Sequence, residues 1–96
     1  MLPVVWREDA ANALDEIIDF IAQFNESAAD RLEAQALAMA ERLSDYPHLF
    51  RPGRVAGTRE AIFHPNYVLI YRVGASEVEI VNVLHTRRQY PPAAED

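Results

Sequence analysis

Two apolar runs in the last third of the chain, Tyr67–Val73 (YVLIYRV) and Glu77–His85 (EVEIVNVLH), are separated only by Gly74-Ala75-Ser76. Both are β-prone, and so short a connection joins them as an antiparallel hairpin. A further strand is expected at about Thr58–Phe63, with His64-Pro65-Asn66 turning the chain into Tyr67. The three strands then read as an antiparallel meander. Apolar side chains fall on both faces. Tyr67, Leu69 and Tyr71 share one face and Val68 and Ile70 the other, while in the last run Ile80 and Leu84 oppose Val81 and Val83. A helical layer covers only one face of such a sheet. Two readings of the other face stay open: loops and Trp6 shield it, or a protein partner completes its burial.

The first half supplies the helices. Leu2–Trp6 is short and apolar and carries Pro3, which suits an edge strand. Glu8–Phe24 places Leu14, Ile17, Ile18 and Ile21 at helical spacing, with Asp15, Glu16 and Asp19 on the opposite side. Asn25 is a suitable N-cap for a second helix, in which Ala29, Leu32, Ala36, Met39, Ala40 and Leu43 recur every three or four residues until Tyr46-Pro47 ends it. The connection between the helices is short enough to require an antiparallel hairpin. Pro47, Pro52, Gly53 and Gly57 mark an exposed loop. The expected fold is α+β, in the order β-α-α-β-β-β, with the helical hairpin packed on a small antiparallel sheet. A single domain is expected over residues 1–92, with 93–96 as a flexible tail.

Length and composition narrow the function. Ninety-six residues make one domain, and the absence of cysteine removes disulfides, thiolate metal sites and cysteine nucleophiles. Neither a secretory leader nor about 18 consecutive apolar residues occurs, so a cytoplasmic protein is expected. Charge is divided along the chain. Residues 1–48 carry three arginines against ten acids, a net of −7; residues 49–92 carry six arginines against three acids, a net of +3. Every Lys or Arg position is arginine, whose planar fork binds phosphate and carboxylate bidentately. The net charge of −6 disfavours generic duplex binding.

Known enzymatic motifs are absent. There is no glycine-rich phosphate loop, nucleophile elbow or His-Glu-x-x-His helix, and His48, His64 and His85 lack metal-ligand spacing. No metal and no cofactor is expected. The chemically credible group is Arg59, His64, Arg72, His85, Arg87, Arg88 and Tyr90. Strand ends bring such residues onto one surface, where histidine, tyrosine and arginine suit either metal-free RNA cleavage or a protein-binding patch. Arg59 and Arg72 also fit as strand arginines with solvated heads.

Taken in order, the short strand ending in Trp6, the helical hairpin, YPHLFRPGRVAGTRE, HPNYVLIYRV and EIVNVLHTRRQYP resemble the RelE/ParE superfamily of small toxins from bacterial type II toxin–antitoxin systems. The resemblance covers residues 2–91 and is strongest to the ParE branch. It implies a growth-inhibiting toxin associated with plasmid stabilisation, which traps DNA gyrase in its cleaved-DNA complex and is neutralised by a cognate antitoxin. The implied partners are that antitoxin and gyrase, including gyrase-bound DNA, with no membrane and no sequence-specific nucleic acid. Target contact would fall to Arg87, Arg88, Tyr90, His85 and Arg59. The alternative is a RelE-like, ribosome-dependent messenger RNA endoribonuclease using His85, Arg87, Tyr90, Arg59 and Arg72. Against it stand the lack of lysine, Glu60 as the only carboxylate near the second strand, and the separation of His85 from Tyr90.

Overall fold

Asn25 divides the helical half where its composition predicts. With its own backbone extended, its side chain accepts a hydrogen bond from the Ala28 N–H at 3.0 Å, which starts a new helix. The computed structural model describes residues 1–87. It contains β1 (Val4–Trp6), α1 (Glu8–Ala22), α2 (Glu26–Asp45), β2 (Arg51–Pro52), β3 (Arg59–His64), β4 (Tyr67–Val73) and β5 (Val78–His85). Along α2, Ala29, Leu32, Ala36, Ala40 and Leu43 are buried, and the three alanines let the helix approach its neighbours closely. In α1, Ala10 and Leu14 are buried, with Ile17, Ile18 and Ile21 packed partly against the same core. Ser44 ties the end of α2 to the first strand, donating from Oγ to the Leu2 carbonyl at 2.6 Å.

The sheet runs β1-β5-β4-β3-β2. The last three strands form the expected antiparallel meander, and β1 is an edge strand. Its pairing with β5 is parallel, so the sheet is mixed rather than wholly antiparallel. The helical hairpin carries the chain from β1 to β2 at the opposite edge, and the strands then return to place β5 beside β1, so the parallel pair is joined through a long connection. The Pro47–Gly57 stretch is not loop throughout, since Arg51 and Pro52 pair with Glu60 and Arg59. Pro52 lacks an N–H and is tolerated because β2 closes the other edge.

The facing of β5 departs from simple alternation. Tyr71 pairs with Ile80 but Ile70 pairs with Asn82, leaving Val81 as an extra residue. This bulge reverses the alternation beyond it. Ile80 and Val83 therefore join the helix-side core, while Val81 and Leu84 lie on the other face; the expected pairing of Ile80 with Leu84 is corrected. Trp6 also packs on the helix side and does not shield the far face. That face is nevertheless closed at its centre: Val68, Ile70 and Leu84 are at most 3% exposed. No partner is needed to bury them, and the exposed apolar side chains there are Ile62 and Val5.

Candidate functional site

One end of the sheet gathers aromatic and imidazole rings around Tyr67. Its ring centroid lies 5.6 Å from that of His64 and 5.4 Å from that of His85, with Phe63 stacked at 6.4 Å. The pairing of Tyr67 with both His64 and His85 produces this convergence. Thr86 holds the adjoining turns together, donating from its backbone N–H to Asn66 at 2.8 Å and from Oγ1 to Pro65 at 3.0 Å. Both imidazoles use Nδ1 as an acceptor, from the Asn66 N–H at 3.0 Å and the Arg87 N–H at 3.1 Å. The neutral ring then presents its Nε2–H outward. On one side of Tyr67 is a cavity of about 340 Å³ bearing Arg31 and Gln35, and on the other one of about 250 Å³ bearing Glu16. This end can donate hydrogen bonds and offer aromatic faces.

Arg59 and Arg72 do not converge there. Arg72 lies five residues further along β4, about 16 Å at the usual strand rise. It is exposed on the helix-free face, close to Gly57. Arg59 occupies the helix-side face at the same distal end, cross-strand from Tyr71. Its Nη1 donates to the carbonyls of Phe50 at 2.7 Å and His48 at 3.5 Å, while the Tyr71 hydroxyl donates to Pro47 at 2.8 Å. Together they clamp residues 47–50 over the sheet, so the head of Arg59 is engaged rather than simply solvated. Burial raises the Tyr71 phenol above its ordinary pKa, opposed in part by the Arg59 charge. Arg87 is exposed, and Arg88 and Tyr90 lie outside the described residues.

A second constellation was missed from sequence. Glu60 is buried on the helix-free face, and its carboxylate accepts from the Arg54 backbone N–H and Nε, each at 2.9 Å, and from Arg51 Nη2 at 3.4 Å. Burial pushes its pKa up, but the Arg54 hydrogen bonds and the charges of Arg54 and Arg51 outweigh that, leaving it below the ordinary value. The available signal was that Glu60 is the only acid between Asp45 and Glu77, downstream of Arg51, Arg54 and Arg59. An open cavity of about 370 Å³ lies over this group, reaching from Arg51 and Arg54 to Val68 and Thr86.

Among the described residues no three His, Cys, Asp or Glu side chains gather to hold a metal ion, and no helix is long and apolar enough to cross a membrane.

Comparison with known proteins places these features in a family. Protein Y4kP of Sinorhizobium fredii is 36% identical over 87 residues, covering 90% of each chain. Toxin RelE2 of Caulobacter vibrioides is 36% identical over 88 residues, covering 92% of this chain and 99% of its own. Among solved structures, a chain of the chromosomal ParDE toxin–antitoxin system from P. aeruginosa superposes with a TM-score of 0.78 at 21% identity, over 88% of this chain and 96% of that one. That likeness establishes the fold. The family model described as ParE toxin of type II toxin-antitoxin system, parDE, matches residues 4–90. The chain belongs to the ParE toxin family, within the RelE/ParE superfamily of type II toxin–antitoxin systems.

Proposed function

We propose that this toxin inhibits DNA gyrase by trapping its cleaved-DNA complex, and that a cognate antitoxin neutralises it. The observation that carries the reading is the match of the ParE family model across residues 4–90. The separation of two candidate ribonuclease residues, Arg59 and Arg72, from His85 supports it. Arg59 is bonded to backbone carbonyls, Arg72 stands on the opposite face, and both are distant along the strands from His85. The sheet's buried carboxylate, Glu60, is tied to Arg54 and Arg51, so it is poorly suited to accept a substrate proton. The protein then acts as an inhibitor rather than a catalyst. The deciding experiment adds purified toxin to gyrase and supercoiled plasmid, traps the cleavage complex, and runs translation of a reporter transcript in parallel. Gyrase-dependent DNA breaks with intact transcripts are expected; site-specific transcript cleavage without DNA breaks overturns the reading.

One observation favours the alternative. His64, Tyr67 and His85 form a compact group at a strand end, with an Nε2–H on each neutral imidazole turned away from its backbone contact. Such a group suits proton transfer in ribosome-dependent RNA cleavage. In that case replacement of His64 or His85 abolishes transcript cleavage while leaving the fold intact.

A further inference from the structure

The sheet separates charge through its thickness. All ten acids of the first half lie on α1 and α2, which carry only Arg31 and Arg42 in return. The opposite face bears Arg51 from β2, Arg54 from the following turn and Arg72 from β4. Its acids are Glu60, enclosed between Arg51 and Arg54, and Glu79, which faces Arg72 across the β4–β5 pair. The Arg51 side chain remains 63% exposed despite its contact with Glu60, and Arg72 is exposed as well. β2 and β4 are two strand spacings apart and Arg72 lies two residues beyond Ile70, the residue in register with Glu60 and Arg51, so these side chains rise from points about 12 Å apart. The open cavity beside Arg51 and Arg54 extends along the same face toward Val68 and Thr86, away from Arg72.

We infer that this helix-free face, through Arg51 and Arg72, contacts the phosphodiester backbone of duplex DNA, the acids behind the net charge of −6 being carried chiefly by α1 and α2 on the other side of the sheet. The assignment of DNA as the polyanion rests on the gyrase reading above. Arginine forks pair with phosphate oxygens whatever the base sequence, so the contact positions the toxin without selecting a site. The helical hairpin repels the same polyanion, which orients the molecule with its sheet toward DNA. A phosphate backbone offers charges at regular intervals to several arginines at once, whereas the one buried carboxylate position on this face is already filled by Glu60.

The test measures binding of the full-length toxin to a fluorescent duplex from 20 to 200 mM salt, beside a single-stranded RNA of equal length and an acidic peptide of equal charge. R51A/R72A is compared with wild type, and R51K/R72K restores the charges. The double alanine variant should flatten the log–log salt slope by about 1.8, corresponding to two lost phosphate contacts, and the lysine pair should recover it. R72A alone, at an exposed position, should lose about half as much and guards against a folding defect. A duplex that does not bind at 20 mM salt, a slope unchanged by R51A/R72A, or arginine-dependent binding of only the peptide or RNA overturns the inference. Gyrase trapping is scored separately. Arginine-dependent duplex binding without trapping leaves this surface standing and defeats the gyrase reading, whereas trapping with a duplex salt slope unchanged by R51A/R72A does the reverse.

Discussion

Arg54 grips Glu60 twice, through its backbone N–H and its Nε, both at 2.9 Å from the same carboxylate oxygen. The contact joins the turn after β2 to the start of β3, at a carboxylate whose side chain is 1% exposed. Removing the charge leaves two guanidinium groups facing a site built for an anion. Because Arg54 and Arg51 remain 37% and 63% exposed, water takes up part of the loss. Glu60→Ala should therefore cost about 2 kcal/mol, below the 3–5 of a fully enclosed pair. Urea unfolding at pH 7 measures it, and a change under 0.5 kcal/mol would assign the pair to the surface class.

The same carboxylate predicts an acid dependence. Its folded pKa is below the ordinary 4.5, so the unfolded chain takes up the proton first as pH falls. The stabilisation is fully present above about pH 4.5 and disappears as pH drops through the lowered folded value. Glu60→Gln should be less stable than wild type at pH 7, and the difference should shrink toward pH 3. A constant difference between the two proteins would mean that Glu60 does not titrate differently in the folded state.

Tyr71 gives the opposite limb. Its phenol is fully buried and its pKa is raised, so above about pH 10 the unfolded chain loses the proton more readily than the folded one and stability falls. Tyr71→Phe removes that contribution and also the hydrogen bond to the Pro47 carbonyl, at a cost of about 1 kcal/mol at pH 7. Chemical unfolding of both proteins at pH 7 and pH 10.5 checks it: the gap should narrow at the higher pH.

Gly53 and Thr58 constrain the turn between β2 and β3. The Gly53 N–H donates to the Thr58 carbonyl at 2.7 Å, and a Cβ at position 53 would run into Thr58 Oγ1. Thr58 cannot simply swing away, since its hydroxyl donates to Val55 and the residue is buried. Gly53→Ala should cost about 1–3 kcal/mol by overpacking, and Thr58→Ala in the same background should recover part of it. Equal thermal midpoints for wild type and Gly53→Ala would place the turn's rigidity elsewhere.

Legibility from sequence follows how many residues share each signal. The helices repeat an apolar period over many residues and Asn25 marks their division, so the hairpin was visible. Val81 was not, because an inserted residue in an apolar run has no distinguishing chemistry, and the bulge is fixed only by pairing with β4. β2 was hidden for a related reason: two residues, Arg51 and Pro52, have no period. The candidate site suffered most. Arg59, Arg72 and His85 were grouped by residue type, whereas their direction depends on register and face, which separate the arginines from His85. Tyr67 was read only as a strand residue, yet it joins His64 to His85.

The helix-side core predicts graded costs. Leu32 is 3% exposed and Ile17 is only partly buried against the same cluster. Leu32→Ala should cost about 2–5 kcal/mol, and Ile17→Ala less, because the lost volume of a partly exposed side chain is partly filled by water. Reversal of that order in urea unfolding would mean that α1, rather than α2, anchors the hairpin.

Arg87 separates target contact from scaffold. It lies one residue beyond β5, after Thr86, its side chain is exposed, and its backbone N–H donates to His85 Nδ1 at 3.1 Å. Alanine at this position keeps the backbone donor and removes only the guanidinium, so stability should change by about 0.5 kcal/mol or less. If the exit of β5 contacts the target, growth inhibition by Arg87→Ala should fall well beyond what that change in folding allows. The double variant with Arg88→Ala should fall further, since a second arginine fork can engage an acidic surface or phosphate. Arg87→Lys distinguishes charge from fork geometry, recovering inhibition only if a point charge suffices. Expression of each variant with and without the antitoxin, alongside thermal unfolding of the purified proteins, provides both readouts. Full growth inhibition combined with lowered stability would assign Arg87 to the scaffold and remove the strand exit from the contact surface.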